Sequence, residues 1–297
     1  MASKKASESN GNDLLYGTAD AEKLDGGNGD DMLFGGKGAD NLNGGIGKDT
    51  LYAGDDYHWG IALPDDHNPD MLSGGNGDDV LYAGTDFWEY QDGDTYFVEY
   101  FGDILDGGNG NDTLYGSSGG DTLTGGNGDD ALYTDAGYGS ASADVLDGGN
   151  GNDILYVQAN YWSEGVEATL TGGKNDDVFD FTGLTWSDGQ SDFNHIVTIT
   201  DFNSGSEKIV FAALSDEIGD FKAGSEAGSY VEDLDAADDL TGLGAAAAAA
   251  HAGGADYYFG VFDGNGYLVA DDGAYGWGTV IKLAGVTDMD GADIIVA

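Results

Sequence analysis

Aspartates recur in this chain at a spacing that fits one chemistry, the holding of a hard cation by oxygen. Asp31, Asp40 and Asp49 stand at nine-residue intervals, and Asp70, Asp79, Asp103, Asp112, Asp121, Asp130, Asp144, Asp153 and Asp177 continue the series, with Asp13 ahead of it. Most of them close a glycine-rich stretch such as Gly26-Gly27-Asn28-Gly29-Asp30-Asp31. Glycines can take positive φ and turn their carbonyls toward one point. The aspartate adds a carboxylate. Ca²⁺ takes 6–8 oxygen ligands at about 2.3–2.6 Å. One turn offers too few oxygens and two stacked turns offer enough, so an ion would rivet successive coils together. Aspartate pairs such as Asp30-Asp31 and Asp78-Asp79 also resemble acid–base pairs, but a metal ligand with a solvated neighbour accounts for them.

The aspartates belong to a longer unit, G-G-x-G-x-D-x-U-x, where U is a large apolar residue. Gly26 to Phe34 is one copy, and Gly35 to Asn43 and Gly44 to Tyr52 follow without a gap. Further copies start at Gly74, Gly107, Gly125 and Gly148, with degenerate ones at Gly17, Gly116 and Gly172. The x-U-x triplet forms a short strand with U pointing inward. Leu33, Leu42, Leu51, Leu72, Leu81, Leu105, Leu114, Leu123, Leu132, Leu146, Leu155 and Leu170 then make a thin core. Two units complete one coil, which places odd and even units on opposite sheets. The expected fold is all-β: a parallel β-roll (β-solenoid) over 10–181, after a disordered tail at 1–9. A β-rich C-terminal cap with a short helix follows at 182–297.

Four units are longer than nine residues: 53–73, 83–106, 134–147 and 157–171. All four are even, so every insertion leaves the roll on the same edge. The odd edge keeps its turns at 26–31, 44–49, 74–79, 107–112, 125–130, 148–153 and 172–177. That predicts a continuous ladder with roughly six ions between the turns. The even edge is expected to be interrupted, with a full turn at 35–40, a weaker one at 116–121 and partial sites at Asp70, Asp103 and Asp144. The inserts are aromatic. Tyr57, Trp59, Phe87, Trp88, Tyr161 and Trp162 are candidates for stacking on sugars or a partner protein, the competing view being that the rings pack on one another. Position nine is aromatic in odd units, at Tyr16, Phe34, Tyr52, Tyr82, Tyr115, Tyr133 and Tyr156, and polar in even ones. One outer face therefore carries a ladder of rings that either stabilises neighbouring strands or docks something.

The repeat resembles that of the RTX (repeats-in-toxin) proteins of Gram-negative bacteria, over roughly residues 10 to 181. The resemblance implies several bound Ca²⁺ ions and secretion. The stretch Ile199-Thr200-Asp201-Phe202-Asn203 resembles a motif that follows the roll in RTX proteases. The C-terminal region is similar to the uncleaved signal read by type I secretion machinery, which is the implied partner. RTX proteases carry H-E-x-x-H, and none of His58, His67, His195 and His251 begins it. RTX lipases carry G-x-S-x-G ahead of the repeats. The match at Gly116-Ser117-Ser118-Gly119-Gly120 lies inside a degenerate repeat and reads as a calcium-loop variant. His58 and His67 lack a third ligand at a spacing suited to a transition metal.

The charge agrees with this picture. Acids number 56 against 9 lysines, with no arginine, for a net charge of −47. Such a chain has no basic cluster for nucleic acid and is repelled by anionic membranes. Self-repulsion also opposes compaction until something neutralises it. Cysteine is absent, which excludes disulfides and thiol chemistry. No stretch approaches the ~18 apolar residues of a membrane span. Met1 to Glu8 lacks the apolar run of a cleavable secretory signal. The expected function is that of a non-enzymatic, secreted calcium-binding protein, folding on extracellular Ca²⁺ and acting at the cell surface or matrix. Its ligand would be a polysaccharide or a surface protein. The alternatives are an effector acting on target membranes and an accessory module of a polysaccharide-modifying enzyme.

Overall fold

The computed structural model describes residues 10–55, 57–59, 69–92, 95–134, 143–159, 167–184, 197–211, 230–233, 240–252, 257–271, 277–289 and 291–296. The tail at 1–9 lies outside them.

Stacking begins with the glycines. Gly126 has φ +107°, and a Cβ there would lie 2.3 Å from the carbonyl oxygen of Gly108 in the preceding coil. A side chain would both strain that backbone and separate the coils. Between the glycine turns, the x-U-x triplets form strands. Those of the odd units are Leu14–Tyr16, Met32–Phe34, Thr50–Tyr52, Val80–Tyr82, Thr113–Tyr115, Ala131–Tyr133, Ile154–Ala159 and Val178–Leu184. They belong to a ten-stranded sheet. Those of the even units are Lys23–Asn28, Asn41–Ile46, Met71–Asn76, Ile104–Asn109, Thr122–Asn127, Asp144–Asn150 and Ala168–Lys174. They belong to a twelve-stranded sheet. Odd and even units therefore do lie on different sheets. Pairing within the roll is parallel and in register, as in Leu33 with Leu51, Leu51 with Leu81 and Leu81 with Leu114. All twelve expected core leucines are at most 2 % exposed.

The first two inserts contribute strands. Tyr57–Trp59, Phe87–Asp92 and Thr95–Tyr100 form a separate three-stranded sheet. Tyr57 pairs with Phe87 in parallel, at the same residue offset that relates Tyr52 to Tyr82 in the roll. The coil spacing therefore propagates outward into the inserts. Phe87–Asp92 and Thr95–Tyr100 pair as an antiparallel hairpin, with Asp92 opposite Thr95.

The parallel sheets also run past residue 181, where the repeat ends, so the expected boundary does not divide them. Val197–Ile199 stacks on Ala168 to Leu170, and Lys208–Phe211 stacks on Val178 to Asp180. Trp277–Leu283 and Ile294–Val296 add one more layer to the two sheets. The physical reason is that a coil needs an inward apolar residue on each strand and does not need the glycine code. Ile199, Ile209, Leu283 and Ile294 supply it and are buried. Two smaller elements complete this end. Tyr257–Phe262 and Asn265–Asp271 form a hairpin through Asp263 and Gly264, both at positive φ. The helix Leu240–Ala252 packs Leu243 and Ala247 against Tyr258, Val269 and Val280, despite Gly242 and Gly244 within it.

Truncating the thin core has a defined cost. Leu123→Ala is expected to lower the calcium-saturated stability by about 2–5 kcal/mol in urea unfolding. Thr124→Ala, on the outer face, should cost under about 1 kcal/mol. An L123A protein as stable as wild type would contradict the single-file core.

Candidate metal centre

The aspartates closing each turn form a ladder along the odd edge. The N–H of Asp31 donates to Oδ1 of Asp49 at 2.7 Å, that of Asp49 to Asp79 at 2.7 Å and that of Asp79 to Asp112 at 2.7 Å. Asp112 donates to Asp130 at 2.7 Å, Asp130 to Asp153 at 2.8 Å and Asp153 to Asp177 at 2.9 Å. Asp13 enters the ladder by donating to Asp31 at 2.7 Å. One carboxylate oxygen of each turn thus ties back to the coil before it. The other oxygen does not. Oδ2 of Asp31, Asp49, Asp79, Asp112, Asp130, Asp153 and Asp177 is buried and accepts no hydrogen bond. Burying such an oxygen without a donor is costly, and more so when it is charged.

At five of the turns this oxygen looks toward the following coil. A Cβ on Gly26 would meet Oδ2 of Asp31 at 2.4 Å and the carbonyl oxygen of Gly44, one coil on, at 2.7 Å. The same two kinds of atom converge at Gly74, Gly107, Gly125 and Gly148. Carboxylate and carbonyl oxygens therefore share a cradle that any side chain would fill. An all-oxygen donor set with flexible geometry suits Ca²⁺ and does not suit the nitrogen- and sulfur-preferring metals.

Burial raises the carboxyl pKa along this edge, opposed by the backbone hydrogen bond and aided by neighbouring carboxylates. Asp49 is pushed up to about 7. Asp79, Asp112, Asp130 and Asp153 are pushed up to about 6. Asp31 and Asp177 are raised by the same cause.

The even edge departs from expectation in a specific way. Its backbone ladder is not broken by the inserts. Glu22 donates to Asp40 at 2.7 Å, Asp40 to Asp70 at 2.6 Å, Asp70 to Asp103 at 2.9 Å, Asp103 to Asp121 at 2.6 Å and Asp121 to Asp144 at 3.0 Å. The donorless oxygens are what the edge lacks. Among the described residues, Asp40 Oδ2 is the one such atom there. At three other positions a backbone N–H of the same unit takes the second oxygen: Gly84 for Asp103 at 2.9 Å, Ser117 for Asp121 at 2.5 Å and Thr18 for Glu22 at 2.7 Å. Asp70 and Asp103 do have company. With Asp86 they form a buried trio whose ligand atoms all lie within 4.8 Å of one another. Burial, with Asp103 and Asp86 adding repulsion, pushes Asp70 up to about 8. Asp86 was not predicted. Its sequence signal is an acid just after Ala83-Gly84, where an ordinary unit has its third glycine.

Two other groups of predicted residues can be placed. Tyr57, Trp59, Phe87 and Trp88 come from different inserts and lie on the strands of one small sheet. Phe87 is half-buried, with its ring 5.9 Å from that of Tyr100. Tyr161 and Trp162 lie outside the described residues, as does His67. The position-nine rings from Tyr16 to Tyr156 stack in one column, with centroids 4.2–5.0 Å apart. They cover one another's faces, which fits the stabilising role rather than docking by ring stacking. Gly116 to Gly120 sits in a turn between two strands of the roll, where the Ser117 hydroxyl donates to the Gly84 carbonyl. It lacks the strand-to-helix elbow of a serine nucleophile.

The fold and its ladder define a calcium-binding β-roll. The family described as RTX calcium-binding nonapeptide repeat (4 copies) matches residues 9–33, 25–57, 69–86, 106–139 and 133–159. The chain carries RTX repeats, and such repeats bind Ca²⁺ and mark a secreted type of protein. No curated protein matches. Among solved structures, 33 chains match. One is the extracellular lipase LipA from Serratia marcescens, 19 % identical, with 100 % of this chain and 40 % of that one covered at a TM-score of 0.22. The chain spans 40 % of that lipase's length, and the score is too low to carry an argument. No helix among the described residues is long and apolar enough to cross a membrane.

Two outcomes test the ladder. Asp130→Asn keeps an acceptor for the Asp112 N–H but removes a ligand oxygen. Calcium affinity should fall at least about tenfold, or about 1.4 kcal/mol, whereas Asp129→Asn, at an exposed neighbour, should leave it nearly unchanged. Equal affinities for the two variants would remove Asp130 from the site. The pH dependence has a definite sign. Folded pKa values lie above the ordinary aspartate value, so the metal-free roll binds extra protons and is favoured as pH falls. Calcium competes with those protons. Its apparent affinity should weaken as pH falls from about 8 to about 5, and titration calorimetry in buffers of different ionisation enthalpy should register proton release on binding.

Proposed function

We propose that this is a secreted, non-enzymatic protein that folds when it meets extracellular calcium and then binds a surface or matrix polysaccharide. Asp31, Asp40, Asp49, Asp79, Asp112, Asp130, Asp153 and Asp177 are the principal ligands, each with a buried, donorless Oδ2, and that is the observation carrying the reading. Asp70 and Asp103, with Asp86, are secondary ones. Asp13, Asp121 and Asp144 support the ladder from its ends and interruptions. In a calcium-poor cytosol the acidic repeats repel one another and stay extended enough to thread a type I secretion channel. Outside, ion binding supplies the folding free energy.

The polysaccharide arm rests on the small insert sheet. It gathers Tyr57, Trp59, Phe87 and Trp88, which are remote in sequence, onto strands continuous with the roll's coil spacing. Aromatic residues gathered on paired strands suit stacking on sugar faces. The strands leave coils that the ladder holds in register, so binding should require calcium. A pull-down on purified cell-surface and matrix glycans should retain the wild-type chain with calcium and release it in chelator. Replacing Trp59 and Trp88 by alanine should abolish retention while the calcium-loaded circular dichroism stays unchanged. Retention that survives both substitutions would overturn the glycan arm. Calcium-dependent leakage of dye from vesicles would instead indicate action on membranes.

A further inference from the structure

One step in the column of position-nine rings is closer than the rest. Tyr133 and Tyr156 stack with centroids 4.2 Å apart and planes 1° apart, against 4.7–5.0 Å for the other steps. Parallel pairing of Ala131–Tyr133 with Ile154–Ala159 sets the two residues side by side in register. Their hydroxyls are hydrogen-bonded to each other. With ring over ring and oxygen beside oxygen, the carbons ortho to the two hydroxyls also face one another across the stack. Both side chains are half-buried, so their edges remain open to solvent.

Phenols held in this way are set for one bond. One-electron oxidation takes an electron and a proton from each, leaving radicals whose spin is shared between the oxygen and the ortho carbons. Two such radicals join by a C–C bond between ortho carbons, and the ortho hydrogens then move to the oxygens. In sum, two tyrosines and one hydrogen peroxide give one dityrosine and two waters. The coupling depends on proximity, because each radical must meet its partner before it is quenched. Burial, followed by Tyr156, Tyr115 and Asp180, pushes the Tyr133 phenol up to about 12. That phenol is therefore neutral at ordinary pH and stacks without charge repulsion. Asp180 stands opposite Tyr156 in the next coil, and its negative charge eases the loss of an electron nearby. Cysteine is absent, so a disulfide cannot staple these coils. Phe34 serves as an internal control: it stacks between Tyr16 and Tyr52 at 5.0 and 4.8 Å, keeping the column while lacking the phenol.

We propose that Tyr133 and Tyr156 form a site of oxidative cross-linking, at which a haem peroxidase with hydrogen peroxide, or another one-electron oxidant, converts the pair to dityrosine. The bond joins adjacent coils, and unlike a bound ion it survives the loss of calcium. The inference stands on the geometry of the column and goes beyond the calcium-binding reading. In the test, the calcium-loaded, full-length chain is treated in dilute solution with a haem peroxidase and hydrogen peroxide. The monomer is then digested and its peptides are read by mass spectrometry. The expected product is a cross-linked peptide joining Tyr133 to Tyr156, lighter than its parts by two hydrogens and the most abundant dityrosine of the column. Its yield should fall at least about tenfold when the same treatment is made in urea, where the rings are no longer held together. Tyr156→Phe should abolish it and leave the far-UV spectrum in calcium unchanged, since the column already accepts Phe34. A folded wild-type chain that gives no dityrosine between Tyr133 and Tyr156 overturns the site, and so does a yield as high in urea as in its absence.

Discussion

Buried carboxylates stacked one per coil set the terms for everything else in this molecule. Neighbours in such a column lie about 4.8 Å apart, and two unit charges at that distance repel by about 3–4 kcal/mol at an effective dielectric of about 20. The protein answers half of the problem itself. Each Oδ1 accepts the N–H of the preceding aspartate, which fixes register and spacing at once. It leaves the other oxygen of each odd turn with no protein donor. Only protons or cations can settle that oxygen, and at neutral pH with abundant calcium the cation wins.

The remaining architecture follows from this column. A core one leucine wide per strand cannot hold a chain of −47 together unaided. The position-nine rings add stacking on one face, and the glycines permit the close approach that the carboxylate hydrogen bonds require. Even the inserts obey the column. They leave the roll at one edge without breaking its backbone ladder, and the first two pair with each other at the roll's own offset. The C-terminal coils show how the column is ended. Asp293 is met by Ser204, Gly205 and Lys208, so a lysine stands at the end of the series.

The repeat, its two sheets and its leucine core were legible because the physics is local: a nine-residue code specifies turn, ligand and inward strand together. The separation of odd from even turns was legible from unit lengths alone. What could not be read was which carboxylates keep a donorless oxygen. Asp121 and Asp79 look alike as position-six residues, but a serine N–H satisfies one and nothing satisfies the other. The insert hairpin was missed although Asp92-Gly93 between two aromatic runs is a known turn signal. The coils beyond residue 181 carry no repeat signal, because stacking there depends on pairing across long insertions. Asp86 escaped for the same reason: its partners are set by coil register, which the glycine code no longer marks.

The central claim is that the odd-edge carboxylates hold the roll folded only when calcium fills them. The direct measurement is a calcium titration of the metal-stripped, full-length chain at neutral pH, followed by far-UV circular dichroism. A cooperative gain of β-structure at about 10⁻⁴–10⁻³ M Ca²⁺, the range of extracellular calcium modules, is the predicted result. A chain that already shows its full β-signal in chelator, and gains nothing on adding calcium, would contradict the account.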